Sequence, residues 1–333
     1  MKKFVRILGI AAAAIAGLPV LDYAVAWGVA KSRYNRVYAA HDAGFPIPFP
    51  LSPADLAKIR ADRVAAGASP DDPPGGVDLA ALARVRAEEN GKHLIDTRVG
   101  CAGCHGADFS GCVIVDAPLV GRWVAPNISG GVASVTRDFT AADWDHAVRH
   151  GLRRGGLASS MPAVDFFNLS DHELSDIVAY IRSRPTVDRN PGSIRLGRLF
   201  SLLIATDADA FTAARIDHLK PHAVEPPAAV VSVEYGEHLV QVCRGCHGER
   251  LSGGKLKGDP NMPVVANLTP HEMGLKDWTV GDFLRALREG KRKDGTAIDP
   301  AMPWKAYGQM GDAELKAMYA YLRTVPPLPK GNR

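Results

Sequence analysis

The chain repeats itself, and the repeat constrains its fold more than any other feature. Cys101-Ala102-Gly103-Cys104-His105-Gly106 returns as Cys243-Arg244-Gly245-Cys246-His247-Gly248. Ser110-Gly111 is answered by Ser252-Gly253, and Ala125-Pro126-Asn127-Ile128-Ser129 by Val265-Ala266-Asn267-Leu268-Thr269. Farther on, Asp138-Phe139-Thr140 matches Asp277-Trp278-Thr279, and Ser160-Met161-Pro162 matches Ala301-Met302-Pro303. Ala179-Tyr180-Ile181-Arg182 closes the first copy as Ala320-Tyr321-Leu322-Arg323 closes the second. The offset stays within a few residues of 141 throughout, so one domain of roughly a hundred residues has been duplicated.

Both copies read as helical. Thr140 to Asp143 and Thr279 to Asp282 carry capping signatures ahead of apolar residues at helical spacing: Trp144, Ala147 and Val148 in one copy, Phe283, Ala286 and Leu287 in the other. Gly151 and Gly290 then end those helices. Ser170-Asp171-His172-Glu173 opens a further helix with Leu174, Ile177, Val178 and Ile181 on its inner face. No segment alternates with period two, so the expected class is all-α without a sheet.

C-x-x-C-H is the attachment signature of c-type haem. Cysteines three apart lie on one face of a helical turn, so both sulfurs reach the porphyrin vinyl groups while the histidine faces the iron. A redox dithiol does not need the histidine, and the two halves of a zinc site would stand 142 positions apart in separate repeats. The expected cofactors are therefore two covalent haems, on Cys101, Cys104 and His105 and on Cys243, Cys246 and His247. A methionine on the far side of the iron raises its potential and closes it to small molecules. Met161 is the only methionine after the first motif in its repeat, whereas Met262, Met273, Met302, Met310 and Met318 compete in the second. Symmetry selects Met302, 55 residues after His247, because Met161 lies 56 after His105 and both precede proline. The expected iron ligands are thus His105 with Met161 and His247 with Met302.

Other residues carry weaker signals. His146, His150, His172 and His271 are rival axial ligands, but none has a histidine at the matched position of the other repeat. Asn127 and Asn267 either bond a propionate or steady a turn. Arg153, Arg154, Lys291, Arg292 and Lys293 read as a solvated face ahead of the methionine loops, the alternatives being that they face propionates or an acidic partner. Cys112, whose counterpart is Gly254, reads as a free buried thiol. No Ser/His/Asp set, carboxylate pair or nucleotide loop is visible, so the chain is expected to be an electron carrier and not an enzyme.

The organisation follows from the flanks. Residues 1–36 begin with Lys2, Lys3 and Arg6 and run apolar from Ile7 to about Ala30, as a signal anchor does; the alternative is a signal peptide cleaved near Ala24-Val25-Ala26. Either way the expected place is the periplasmic side of a bacterial inner membrane, anchored or soluble. Residues 37–88 form a spacer containing Phe45-Pro46-Ile47-Pro48-Phe49-Pro50, with a short helix opening at Ser52-Pro53. The repeats occupy 89–186 and 231–327, and 187–230 link them, including the apolar patch Leu199 to Ile204, which is expected to pack between domains. Of 333 residues 46% are hydrophobic and 23% charged, an ordinary globular balance, and a net charge of +4 gives no case for nucleic acid.

Each repeat resembles the class I cytochrome c domain, and the whole chain resembles membrane-associated dihaem cytochromes c. Asn267-Leu268-Thr269-Pro270 and Ala301-Met302-Pro303 are similar to cytochrome c subunits of bacterial alcohol and aldehyde dehydrogenases, which usually carry three haems. The resemblance spans about 90–185 and 232–326. It implies helices wrapped round a largely buried haem, with Tyr180 and Tyr321 packed near it. The partners it implies are redox proteins: a dehydrogenase, another cytochrome or a terminal oxidase. Two functional alternatives stand beside a free electron shuttle: a dihaem enzyme of peroxidase type with one open iron, and an electron-accepting subunit of a dehydrogenase complex.

Overall fold

The computed structural model describes residues 22–69, 78–256 and 262–332. The signal or anchor assigned to 1–36 therefore lies mostly outside the described residues. Its end, 22–34, is a helix, α1. Among the described residues no helix is long and apolar enough to cross a membrane.

Local capping chemistry sets the helix starts where the sequence placed them. α2 (Pro53–Ala65) begins after Ser52, whose hydroxyl accepts the Asp55 N–H while the Asp55 carboxylate accepts the Ser52 N–H. α3 (Leu79–Leu94) is capped by Asp78 and runs on through a wider π turn, Ile95–Val99, to Gly100 at φ +61°. The motif helix α4 (Cys101–His105) follows. α5 (Ala141–Val148) and α6 (Asp171–Ser183) start from Thr140 and Ser170 with Asp143 and Glu173 closing reciprocal capping boxes. α7 (Arg198–Thr206) lies in the linker. The second repeat supplies α8 (Val233–Val240), α9 (Arg244–His247), α10 (Val280–Glu289), α11 (Trp304–Tyr307) and α12 (Asp312–Leu322).

The structure is mainly helical, but it holds a sheet that the sequence reading did not expect. β1 (Cys112–Ala117) pairs antiparallel with β2 (Gly121–Ala125), and β2 with β5 (Arg195–Leu196). β3 (Leu152–Arg153) and β4 (Leu157–Ala158) form a separate two-residue ladder. A period-two test could not see β1, because Ile114 and Val115 both face solvent at 54% and 36% exposure. Its signal is the β-branched run Val113-Ile114-Val115 instead.

One contact organises both repeats. A Cβ placed on Gly91 of α3 would stand 2.0 Å from the Asp176 carbonyl oxygen of α6. A Cβ on Gly236 of α8 would stand 1.9 Å from the Ala317 carbonyl oxygen of α12. The β-carbons of Tyr180 and Tyr321 lie next to these glycines in the same way, each 2.9 Å from the added carbon. The first and last helices of each repeat therefore cross backbone to backbone, at a distance only glycine permits. Gly91 stands ten residues before Cys101 and Gly236 seven before Cys243, and the longer stretch contains the π turn.

By density of packing the chain forms two compact units that interleave along the sequence. One comprises the described residues up to Asp42 with Gly103–Phe167 and Thr186–Lys220. Its core gathers Ala30, Leu152, Ala158, Ile204, Phe211 and Ala213, and Trp123 tilts over Phe200 at 4.3 Å between centroids. The apolar patch of the linker thus serves this unit: Ile204 is buried within it, while Leu199, Leu202 and Leu203 are exposed. The other unit comprises Ala43–Ala102, Asn168–Pro185 and Pro221–Arg333. There α3 packs on α6 and α8 on α12, over a core that includes Leu239, Phe283, Leu287, Leu315 and Leu322.

Within that second unit, residues of the two repeats meet directly. Arg98 pairs with Glu173, and His238 of α8 sets Nε2 2.8 Å from the same Glu173 oxygen. His93 meets the Glu314 carboxylate at 3.0 Å. Glu173 is buried; burial pushes its pKa up, but the Arg98 charge and the His238 bond outweigh this and hold it at about 2. The sequence reading used Glu173 only as a capping residue and overlooked Arg98 and His238. They lie 75 and 65 residues from Glu173, so no short-range pattern marks them.

Candidate haem sites

The two motif histidines are prepared identically. His105 Nδ1 lies 2.8 Å from the Pro126 carbonyl oxygen, and His247 Nδ1 lies 2.8 Å from that of Ala266. A carbonyl only accepts, so Nδ1 carries the proton in both rings and Nε2 presents its lone pair to the site. Both side chains are buried, and burial pushes the His105 pKa below its ordinary value, which keeps the ring neutral and able to bind metal. The loop that brings the carbonyls over is also the same. Gly111 and Gly253 donate to the carbonyls of His105 and His247, each at 2.8 Å. Phe109 and Leu251 both adopt φ +58°, and their carbonyls accept from Ile128 and Leu268.

In the second repeat the site is an apolar cavity of about 790 Å³. Cys243, Cys246 and His247 line it from the motif, and Met302, Leu287 and Tyr307 from elsewhere in the repeat. Two thiols, an imidazole lone pair and a thioether thus border one apolar space of macrocycle size, a donor set that fits a covalent haem. Of the competing sulfurs, Met310 is fully buried in the core and Met273 is 59% exposed. Met318 sits on α12 as core, although with Met262 and Met273 it also borders the cavity.

The two methionine loops share one frame. Gly151 and Gly290 adopt φ +64° and +65°. The carbonyl of Gly151 accepts from Ser159 at 2.8 Å, and that of Gly290 from Ile298 at 2.7 Å. Past the proline, Ala163 donates to the Met161 carbonyl and Trp304 to the Met302 carbonyl, both at 2.8 Å. Of the basic residues read as a solvated face, Arg154, Lys291 and Lys293 are exposed, and four of the five also brace this frame. Arg153 donates to the Ala158 carbonyl and Arg292 to that of Ala297, at 2.9 and 2.6 Å. Arg154 reaches the Asp138 carbonyl as Lys293 reaches that of Asp277.

Asn127 and Asn267 steady a turn. Asn127 Nδ2 donates to the carbonyls of Val187 and Arg189, and its Oδ1 accepts from Ser129 N and Oγ. Asn267 does the same with Leu328 and Thr269. Each ties the histidine-orienting loop to the segment that follows its repeat's last helix. Tyr321 accepts a bond from Arg244 inside the second motif at 2.9 Å. Cys101 is half-buried and Cys104 and Cys246 exposed; Cys112, at the start of β1, is a free, half-buried thiol with Sγ 3.5 Å from the Val113 carbonyl. The rival histidines have other partners. His172 meets Glu225 at 2.7 Å and stacks on Phe49, and His271 accepts from the Met273 N–H. His146 Nε2 donates to the His41 carbonyl at 3.0 Å, and His150 Nδ1 lies 3.0 Å from His218 Nδ1.

The model of the cytochrome c family matches residues 88–185 and 233–326, more than half of the chain. The chain belongs to the cytochrome c family. It carries two domains of that family, which implies two covalent haems c and electron transfer as its work. A dihaem cytochrome c of Cereibacter sphaeroides is 28% identical over 257 residues, covering 69% of this cytochrome and 83% of that protein. The cytochrome c subunit of a quinone alcohol dehydrogenase of Gluconobacter oxydans is 31% identical over 157 residues, 44% of this chain and 31% of that one. The cytochrome subunit of a fructose dehydrogenase of Gluconobacter japonicus is 32% identical over 139 residues, 38% of this chain and 29% of that one. This cytochrome thus spans less than a third of the length of those dehydrogenase subunits.

Proposed function

We propose that the chain accepts electrons from a dehydrogenase partner and passes them onward through two haems, each held by histidine and methionine. His105 with Met161 and His247 with Met302 are the proposed iron ligands. The observation that carries this reading is the shared frame: the same carbonyl bond orients each histidine, and the same glycine-to-proline loop presents each methionine. Bound haem supplies the one-electron change at its iron; the chain fixes the ligands, excludes water and positions the groups. With both a histidine and a methionine holding it, the iron would offer no open site, which favours transfer over catalysis.

The dehydrogenase partner rests on the roles of the relatives, and a periplasmic membrane position rests on the basic start and the apolar run from Ile7 to about Ala30. The ligands are tested by the optical and EPR spectra of Met161→Ala and Met302→Ala. Each variant is expected to lose the Met–iron absorption band from one haem and to gain a high-spin signal there. A variant spectrum identical to wild type shows that another group binds that iron, and a high-spin haem in the unmodified protein favours the peroxidase-type alternative. The partner is tested by co-purification from native membranes, with a dehydrogenase expected and its absence favouring a free shuttle.

A further inference from the structure

We propose that His41, Asp145 and His150 form a binding site for a divalent metal ion of the zinc class, distinct from both haem irons. The three side chains come from the segment after α1, from α5 and from the turn that ends α5. Their ligand atoms all lie within 4.8 Å of one another. Asp145 and His150 are fully buried, and His41 is about a quarter exposed at its side chain.

The hydrogen bonds behind these residues fix which atoms face one another. His218 Nε2 lies 2.9 Å from the Ala213 carbonyl oxygen and must donate to it. That bond places the proton of a neutral His218 on Nε2 and leaves its Nδ1 as an acceptor. His150 Nδ1 stands 3.0 Å from that acceptor and must therefore be the donor. The proton of a neutral His150 is thereby committed, and its Nε2 lone pair points at Asp145 Oδ2, 3.5 Å away. The same holds for His41. Its Nδ1 lies 3.1 Å from the His218 carbonyl oxygen, and its Nε2 lies 3.9 Å from the same Asp145 Oδ2. The other carboxylate oxygen, Oδ1, is held by Arg149 Nε at 2.5 Å.

Two imidazole nitrogens and a carboxylate oxygen thus face one another where Asp145 and His150 are fully buried, and a cation favours that arrangement. The spacing suits a metal. Ligands bound at about 2.0–2.2 Å around a tetrahedral zinc stand roughly 3.3–3.6 Å from each other. Each imidazole also donates its second nitrogen to a fixed acceptor, as metal-bound histidines do. The alternative cation is a proton on one imidazole. An ion there would clamp three separated stretches of chain. One of them, His150, directly precedes Gly151, whose carbonyl anchors the Met161 loop.

The test uses the purified protein with both haems in place, stripped with a chelator and then titrated with zinc chloride. Elemental analysis after desalting is expected to give one zinc for every two irons, with calorimetry giving a single site. His41→Gln, the variant least able to disturb the core, and His150→Gln are each expected to weaken zinc binding at least ~10-fold. His271→Gln, outside the group, is expected to bind as wild type. Zinc far below one per chain, or wild-type affinity in both His41→Gln and His150→Gln, would overturn the proposal and leave the proton as the cation.

Discussion

Replacing Gly236 by alanine sets two effects of opposite sign against each other. In the interior of an exposed helix the change is favourable by about 1 kcal/mol, because glycine loses more backbone freedom on folding. Here the added carbon would lie 1.9 Å from the Ala317 carbonyl oxygen, whereas ordinary contact begins at 3.4 Å. α8 and α12 would have to separate by roughly 1.5 Å, and the atom in the way is backbone, which cannot rotate aside as a side chain would. Overpacking of this kind costs ~3 kcal/mol or more, so the net expectation is a loss of ~2 kcal/mol or more. Gly281 of α10 supplies the control, since its nearest neighbour, the Thr279 hydroxyl, is 3.7 Å from an added carbon. Gly281→Ala is expected to stabilise by ~0.5 kcal/mol. Both variants are measured by guanidinium unfolding, followed in parallel by far-ultraviolet circular dichroism and haem absorbance. A Gly236→Ala protein as stable as wild type would refute the claim that this crossing organises the repeat.

Other expectations concern the buried polar groups. Glu173 has a pKa near 2 in the folded chain against 4.5 unfolded, which corresponds to ~3 kcal/mol of stability. Because the folded value is the lower one, this contribution is full above pH 4.5 and fades as the pH falls toward 2. Glu173→Gln should therefore be less stable than wild type by ~3 kcal/mol at pH 7, with the gap narrowing in urea melts below pH 4.5; a gap independent of pH would contradict the Arg98–Glu173 pairing. Asn127→Ala removes four hydrogen bonds at a buried position and should cost ~2–4 kcal/mol in thermal unfolding, whereas a propionate-binding role alone would leave the haem-free chain unaffected.

Much of this structure was legible from short-range chemistry. The four capping boxes at Ser52, Thr140, Ser170 and Thr279 each involve residues three apart, so the sequence shows the whole interaction. The repeat was legible for a different reason: two copies of one domain reveal which residues recur, and so Met302 stood out among five methionines. The β1–β2 hairpin escaped because its exposed valine and isoleucine break the inside–outside alternation on which strand recognition rests. That Arg153, Arg154, Arg292 and Lys293 also brace the methionine loops was not legible, because their partners are backbone carbonyls, which every residue has and no sequence marks.

The sequence by itself determined the class of the protein. Two C-x-x-C-H motifs in a duplicated helical domain leave haem attachment as the chemistry, since the spacing of the ligands along one turn is the chemistry. What only the tertiary structure decided are the pairings across long stretches of chain: Gly236 against Ala317, Asn127 against Val187, and Glu173 with both Arg98 and His238. The meeting of His41 with Asp145 and His150 belongs to the same group. These contacts depend on where folded segments arrive in space, and a buried charge or a missing β-carbon acquires its meaning only from the atom that ends up beside it.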